Sequence, residues 1–336
     1  MDTKQITIKD IAKEANVSGT TVSRYLNGKF EYMSEETRNT IEKVISDLDF
    51  RPSNIARTLK SNKSKVIGAV IADIENPFST QIIKGLTDKA NEIGYSLMIS
   101  ISNNSIDKEK EGVERFLDNR VDGLVVNTVG MNEPFLQEIK NKVPVVFIDR
   151  GVVSFQGDTI TSNNYELGQQ MMNHLFEKQF QSIGFFTEVI ENNTVREERY
   201  RAYKEAVKHK DRISAKTYIV DLTDENNISR QLVQFYETPG PRVIFAGNGV
   251  VLQMLLTVMK GKNYNIGEDF SICGYDNWVW TSFVGKDGIT AIEQNSYALG
   301  TESITLLHKR MSKSIESEPP LNIKIEGQLL IRGSTN

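Results

Sequence analysis

The sequence predicts an all-α helix-turn-helix head, a hinge helix, and an α/β body of two doubly wound parallel-sheet lobes. Three observations predict this. Two short capped helix patterns meet at a tight turn within residues 8–27. From Lys65 onward, near-continuous apolar runs alternate with helix-length segments, as in parallel strands covered on both faces. A chain of 336 residues is also too long for one small core.

The head is predicted to hold three helices. Thr7 can cap the first, and Asp10 completes a capping box three residues later. Ser18 can cap the second helix, and Gly28 ends it where a left-handed residue is needed. Ser34 can cap the third.

The body is predicted from eight apolar runs that are typical of buried strands. They are Val66–Ala72, Tyr95–Ile101, Gly123–Val126, Pro144–Ile148, Ser182–Phe186, Thr217–Val220, Arg242–Ala246 and Phe270–Gly274. So many strands favour two lobes, which we expect to split near residue 160 and to cross back near 290–320. The predicted domains are therefore a helix-turn-helix head at 1–50, a hinge at 51–64 and a two-lobed α/β body at 65–336.

Composition and charge narrow the class. At 39% hydrophobic and 25% charged residues, the chain resembles ordinary globular proteins. We expect no membrane partner, because neither a span of about 18 apolar residues nor a signal-peptide core is visible. Cys273 is the only cysteine, which favours a cytoplasmic location. Residues 1–65 hold 12 Lys and Arg against 9 Asp and Glu, whereas the remainder holds 28 against 35, so a polyanion suits the head alone.

An enzyme is one rival interpretation. The three histidines, His174, His209 and His308, each lie in a helix-like stretch without a partner motif. No glycine-rich phosphate loop and no Cys/His metal spacing is present. We therefore expect no catalytic residue, no metal and no cofactor. A solute-binding protein for transport is the other rival, and the missing leader and the 65-residue head argue against it.

Several motifs in order along the chain resemble the LacI/GalR family of bacterial transcription regulators, over its whole length. They are Ile8-Lys9-Asp10-Ile11-Ala12, Val17-Ser18 with Thr21-Val22-Ser23-Arg24, Arg51-Pro52-Ser53 with Ile55-Ala56-Arg57, Asn76-Pro77-Phe78, Val121-Asp122-Gly123, Ile148-Asp149-Arg150, Gly274-Tyr275-Asp276 and Ile331-Arg332. The resemblance implies a body like that of a periplasmic sugar-binding protein. It also implies a homodimer on a pseudo-palindromic double-stranded DNA operator.

The resemblance implies DNA contacts from the second helix and from the hinge. The helix contributes Gly19, Thr20, Thr21, Ser23, Arg24 and Asn27, and the hinge contributes Ala56, Arg57, Leu59 and Lys60. Arg24 can fork onto a guanine and Thr20 can touch a base edge, whereas Gly19 offers no side chain where relatives often carry one. Leu59 is expected to wedge between central bases of the minor groove, although it would otherwise pack on the body.

For the body, the resemblance and the strand-end positions imply an effector site. Its residues are Phe78, Asp149, Arg150, Arg199, Asn248, Asp276, Trp278 and Gln294. This chain has Asn248-Gly249 where relatives usually have an Asn-Asp pair, and it has Gln294-Asn295 where they usually have Gln-Pro.

The lost carboxylate and the nearby arginines suggest a sugar acid rather than a neutral sugar. The Trp278-Val279-Trp280 stretch also looks like the branch that responds to keto-deoxy sugar acids. The predicted function is a regulator, in the first place a repressor of carbohydrate-use genes, that a sugar or sugar acid releases from DNA. A repressor that needs its ligand as corepressor is the alternative.

Overall fold

The computed structural model describes residues 6–26, 28–50, 63–130, 133–152, 156–312 and 318–336. The chain divides into two compact units, Met1–Ser64 and Lys65–Asn336. Among the described residues, no helix is long and apolar enough to cross a membrane.

The head is built from three helices, α1 (Ile8–Glu14), α2 (Gly19–Leu26) and α3 (Glu35–Asp47). The predicted caps are confirmed. Asp10 N–H donates to Thr7 Oγ1 while Thr7 N–H donates to the Asp10 carboxylate, which closes the capping box. Ser18 Oγ accepts from Thr21 N–H at 3.1 Å. Gly28 has φ +70°, the left-handed conformation expected beyond a helix end.

The head core follows from the helical periodicity of its apolar residues. Ile11, Val22 and Ile41, one from each helix, are fully buried against one another. The opposite faces of the three helices carry polar side chains, which are exposed.

The first lobe of the body is a six-stranded parallel sheet with helices on both faces. Its elements are β1 (Val66–Ile71), α4 (Pro77–Glu92), β2 (Ser96–Ile101), α5 (Ile106–Asp118), β3 (Gly123–Val126), α6 (Glu133–Lys140), β4 (Val145–Ile148), β5 (Asp158–Ser162), α11 (Ser296–Met311) and β11 (Asn322–Ile325). The strand order is β11-β5-β4-β3-β1-β2. Neither β5 nor β11 was among the eight predicted strands.

The second lobe repeats this architecture. Its elements are α7 (Asn164–Glu177), β6 (Ser182–Thr187), α8 (Thr194–Val207), β7 (Ser214–Ile219), α9 (Glu225–Tyr236), β8 (Arg242–Ala246), α10 (Gly249–Gly261), β9 (Ser271–Tyr275), β10 (Thr290–Glu293) and β12 (Gln328–Leu330). The strand order is β12-β10-β9-β8-β6-β7, and only β12 pairs antiparallel. The expected fold class of two doubly wound α/β lobes is confirmed.

The chain passes between the lobes three times, after β5, after β10 and between β11 and β12. The helix α11 therefore belongs to the first lobe, although the strand before it lies in the second. It packs closely on α4, because a Cβ at Gly85 or at Gly300 would collide with the backbone of the other helix. The third passage, at residues 326–327, lies beyond the range 290–320 expected for the return.

Candidate functional site

The reading face of the head is the exposed side of α2. Gly19, Thr20 and Arg24 are exposed, whereas Val22 on the opposite side is fully buried. A Cβ at Gly19 would meet nothing within 4 Å, so neither space nor a positive φ requires glycine there. Its missing side chain leaves an open place on the reading face.

Arg24 is not an isolated surface arginine. Its Cζ lies 5.0 Å from the ring centroid of Tyr32, which comes from the short 3₁₀ turn Phe30–Tyr32 and is 60% exposed. This cation–π contact restricts the rotation of the Arg24 side chain, so that its guanidinium is held in one orientation. Sequence reasoning missed Tyr32, because nothing in the spacing links it to α2.

The other predicted DNA-contact residues fall into two groups. Thr21 and Ser23 are half-buried, and the Thr21 hydroxyl lies 2.9 Å from Ser18 Oγ, within the helix cap. Asn27 and the hinge residues lie outside the described residues; the hinge residues are Ala56, Arg57, Leu59 and Lys60.

In the body, the strand ends bring seven of the eight predicted effector residues to one interlobe cleft. They are Phe78, Asp149, Arg150, Arg199, Asn248, Asp276 and Gln294. Most follow a strand directly, since the carboxyl ends of parallel strands share one edge of the sheet. The eighth residue, Trp278, lines an adjoining compartment that shares Phe78, Asp276 and Gln294 with the cleft.

Asp149 is the buried carboxylate of the first lobe's side of the cleft. It is 7% exposed and has φ +65°. Its Oδ2 lies 3.4 Å from Asn127 Nδ2 and 3.8 Å from Arg150 Nε, while Oδ1 is buried with no hydrogen-bond partner among the described residues. Burial raises the pKa of this carboxyl, and the positive charges of Arg150 and Arg199 act in the opposite direction.

Arg199 is the buried cation of the second lobe's side. It is 4% exposed, and its Nε donates to Asn164 Oδ1 while Nη1 donates to the Gly247 carbonyl, both at 2.8 Å. Its Cζ lies 4.0 Å from the centroid of the Tyr275 ring. Two bonds and one aromatic face hold the guanidinium, and Nη2 makes no hydrogen bond within the described chain.

Asp276 and Gln294 are joined by a hydrogen bond on the second lobe's side of the cleft. Asp276 has φ +75°; its Oδ2 accepts from Gly249 N–H at 2.8 Å and its Oδ1 accepts from Gln294 Nε2 at 2.7 Å. Both carboxylate oxygens of Asp276 therefore accept hydrogen bonds from within the protein. The buried Gln294 Oε1 has no partner among the described residues, so the amide presents a free acceptor.

Both polar atoms of the Asn248 side chain are also hydrogen-bonded within the protein. Its Oδ1 caps α10 by accepting from Val251 N–H at 2.8 Å, and its Nδ2 donates to Glu188 Oε2 at 2.7 Å. Glu188 also pairs with Arg196 Nη2 at 2.5 Å, and burial is the main cause that lowers the pKa of Arg196. Sequence reasoning missed Glu188 and Asn127 as cleft residues. Both are the first polar groups after their strands, β6 and β3, which is the signal that could have found them.

We expect Asp149→Asn to raise the melting temperature by a few degrees at pH 7. A carboxyl whose pKa is raised by folding contributes stability that is fully present below its ordinary pKa of 3.8 and is lost as the pH rises through the folded value. At neutral pH the buried charge thus destabilises the fold, and the amide removes that cost. Melting curves from pH 4 to pH 8 should show the advantage growing as the pH rises above 3.8. A variant that melts lower at pH 7 would show that the carboxylate's contacts outweigh its burial.

Other chemistry-bearing groups have structural partners. His174 is buried and its Nε2 lies 2.8 Å from Thr335 Oγ1. Cys273 is fully buried, and burial raises the pKa of its thiol. Among the described residues, no group of three His, Cys, Asp or Glu side chains could hold a metal ion.

A helix-turn-helix head followed by a two-lobed body with a polar cleft defines a ligand-responsive DNA-binding regulator. Comparison with known proteins agrees with this class. Residues 7–53 match the family of bacterial regulatory proteins, lacI family. Residues 64–332 match periplasmic binding proteins and sugar binding domain of LacI family.

Full-length relatives support the same assignment. The HTH-type transcriptional regulator KdgR of Bacillus subtilis (strain 168) is 33% identical, over 99% of this chain and 98% of its own. PtxS of Pseudomonas plecoglossicida is 28% identical over 98% of this chain and 96% of its own. The structure of the Lac repressor bound to ONPG in the repressed state superposes with a TM-score of 0.83 at 20% identity, covering 99% of this chain and 100% of that one. The chain belongs to the LacI family of bacterial transcription regulators.

Proposed function

We propose that this regulator represses carbohydrate-use genes and leaves its operator when a sugar acid binds the interlobe cleft. The observation that carries the proposal is the set of groups left without partners around the cleft. Asp149 Oδ1 and Gln294 Oε1 are buried acceptors, and Arg199 Nη2 is a donor that makes no bond within the described chain. Buried acceptors without partners are costly, so a ligand with several hydroxyl donors would satisfy them.

The guanidinium atoms that the protein leaves unbonded in the cleft favour an acid over a neutral sugar. Asp276 and Glu188 are each bonded within the protein, and Arg196 is paired with Glu188. Among the described residues, the Arg150 side chain has only the 3.8 Å contact of its Nε with Asp149, so both of its Nη atoms are open to a ligand there. Two uncommitted guanidinium edges suit a planar carboxylate, which arginine binds in a bidentate manner.

The test uses the two tryptophans, Trp278 and Trp280, as reporters, because both lie at or next to the cleft. We expect a 2-keto-3-deoxy sugar acid to change their fluorescence with saturation and to release the full-length protein from its operator in a gel shift. Tight binding of neutral sugars with no response to sugar acids would refute the acid assignment. An acid that strengthens operator binding would instead indicate a corepressor.

The DNA partner is proposed to be a pseudo-palindromic operator bound by a homodimer in the bacterial cytoplasm. The support is family membership together with the exposed face of α2. The structure of the Lac repressor dimer bound to operator is 20% identical to this chain in sequence, so the similarity concerns the fold alone. The residues from Ser53 to Lys60 would couple the cleft to this binding, as the family resemblance implies.

We expect Arg24→Ala to weaken operator binding by about 1–3 kcal/mol and to relax specificity at one base pair, because a guanidinium reads one guanine edge. The operator is first selected from a random duplex library, and both proteins are then measured on it and on its single-base variants. The matched control is Arg38→Ala, an exposed arginine of the same head that stacks on Phe30 at 4.2 Å. Equal losses on operator and random DNA would make Arg24 a phosphate contact.

A further inference from the structure

Gly249 lies at the start of α10, and the ring of Trp278 occupies the side where a Cβ would be. A Cβ built there would stand 2.6 Å from Cζ2 and 2.7 Å from Cε2 of that indole, closer than real Cβ contacts. The helix α10 begins at Gly249 and no positive φ occurs there, so the backbone conformation does not require glycine. The indole makes the two shortest contacts that exclude a side chain at position 249, and the Cβ of Asp276, at 3.0 Å, makes the third.

Trp278 is held firmly in this space. It is 8% exposed, and Trp280 packs against it edge-on at 5.8 Å. The loop that carries it is tied down at both sides, since Arg332 Nη2 donates to Asn277 Oδ1 at 2.8 Å and Thr281 Oγ1 donates to the Trp278 carbonyl at 2.7 Å. The ring therefore cannot move aside cheaply for another side chain.

The edge of the indole next to Gly249 carries an unmet donor. Trp278 Nε1 is buried and has no hydrogen-bond partner among the described residues. It is bonded to Cε2, one of the two ring atoms that approach Gly249. Trp278 also lines the compartment that shares Phe78, Asp276 and Gln294 with the cleft. Burying an indole N–H without an acceptor costs about 1–3 kcal/mol, a cost that a ligand oxygen would remove.

We propose that Trp278 and Gly249 together form a specificity determinant of the effector cleft. The indole fills the space that a side chain at position 249 would occupy. No carboxylate or hydroxyl side chain can therefore form this wall of the cleft, and the Trp278 Nε1–H forms it instead. The wall thereby favours a ligand that places an oxygen acceptor there, such as a keto group or a carboxylate, over a ligand that places only carbon there. This inference rests on the proposed sugar-acid effector.

The first test removes the donor and keeps an aromatic ring. We expect Trp278→Phe to bind 2-keto-3-deoxygluconate about tenfold more weakly than the unmodified protein by calorimetry, because one hydrogen bond to a charged or polarised oxygen is worth about 1.5 kcal/mol. The matched control, Trp280→Phe, should bind it within about threefold of the unmodified protein. If Trp278→Phe binds the acid as the unmodified protein does, Nε1 is not a ligand donor and the proposal falls.

The second test asks whether the two residues share one volume. In the full-length protein, Gly249→Ala should lower the melting temperature, whereas in a Trp278→Ala background the same change should cost little, because the added methyl enters the vacated space. Additive effects would overturn the pairing. This cycle is read in melting temperature without ligand, so it stays decisive if the protein binds no sugar acid. In that case the proposed effector fails, while strong coupling would still identify the shared volume.

Discussion

Arg199→Ala is expected to abolish the response to effector while leaving operator binding intact. Removing this guanidinium takes away a buried cation on the second lobe's side and leaves Asn164 Oδ1 and the Gly247 carbonyl without their 2.8 Å donors. Truncating one partner of a buried charged contact costs about 2–5 kcal/mol in binding, which corresponds to a loss of about thirtyfold or more. The measurements are calorimetry with a sugar acid and a gel shift with and without it.

The matched control lies on the same helix. Arg201 is exposed on α8 and stacks on Tyr165 at 4.4 Å, so Arg201→Ala should bind effector as the unmodified protein does. Arg199→Lys separates charge from shape, because an ammonium is a point charge and lacks the planar fork that spaces the donors of a guanidinium. Full induction in Arg199→Lys would show that the charge alone is sufficient. Full induction in Arg199→Ala would remove Arg199 from the effector site.

The head was predictable in detail because its signals are local. A cap residue and its partner lie three positions apart in the chain, so the hydrogen bonds at Thr7, Ser18 and Ser34 could be inferred from spacing alone. The stacking of Arg24 on Tyr32 could not, since a 3₁₀ turn brings the two together.

The body was predictable where strands are long and apolar. The strands β5, β10, β11 and β12 were missed because they are three to five residues long and rich in polar side chains. The start of β7 was also missed, and its first three residues are exposed at a sheet edge. Hydrophobic periodicity in a sequence indicates which residues are buried, and an edge strand has few buried residues to produce such a pattern.

The cleft shows the same limit at the level of chemistry. The rule that ligands bind beyond strand ends predicted which residues would meet there. It could not predict which of their atoms are already used, and Asn248 and Asp276 turned out to be bonded within the protein. The glycine at 249 was interpreted as a lost carboxylate, whereas its physical cause is the neighbouring indole. Occupied and unoccupied hydrogen-bond capacity is a property of the folded arrangement.

The arginine near the C-terminus has a role that its motif did not reveal. Arg332 donates from Nη1 to the Ile289 carbonyl at 2.9 Å and from Nη2 to Asn277 Oδ1 at 2.8 Å. Asn277 in turn donates to Glu293 Oε1 at 2.7 Å. The segment that follows β12 thereby positions the loop that carries Trp278.

Asp158→Ala is expected to produce the largest loss of stability in the first lobe, about 3 kcal/mol. The Asp158 carboxylate makes two 2.8 Å bonds with Arg310, to Nε and Nη2, and its Oδ1 also accepts from Leu321 N–H at 2.9 Å. One side chain thus joins β5, α11 and the segment before β11. The two side chains are only 10% and 13% exposed, so removing the carboxylate leaves a nearly buried cation with only the 3.5 Å contact to Glu318 as an ion pair.

Thermal and urea unfolding measure this loss, and an exposed pair supplies the contrast. Glu138 lies 2.6 Å from Lys142, a shorter distance than in the Asp158 pair, yet both side chains are more than half exposed. Glu138→Ala should therefore change the free energy of unfolding by less than about 1 kcal/mol, because water screens an exposed pair. Equal effects of Asp158→Ala and Glu138→Ala would mean that distance, not burial, decides the strength of these ion pairs. A much larger effect at Asp158 would show that this single buried carboxylate stabilises the edge of the first lobe's sheet.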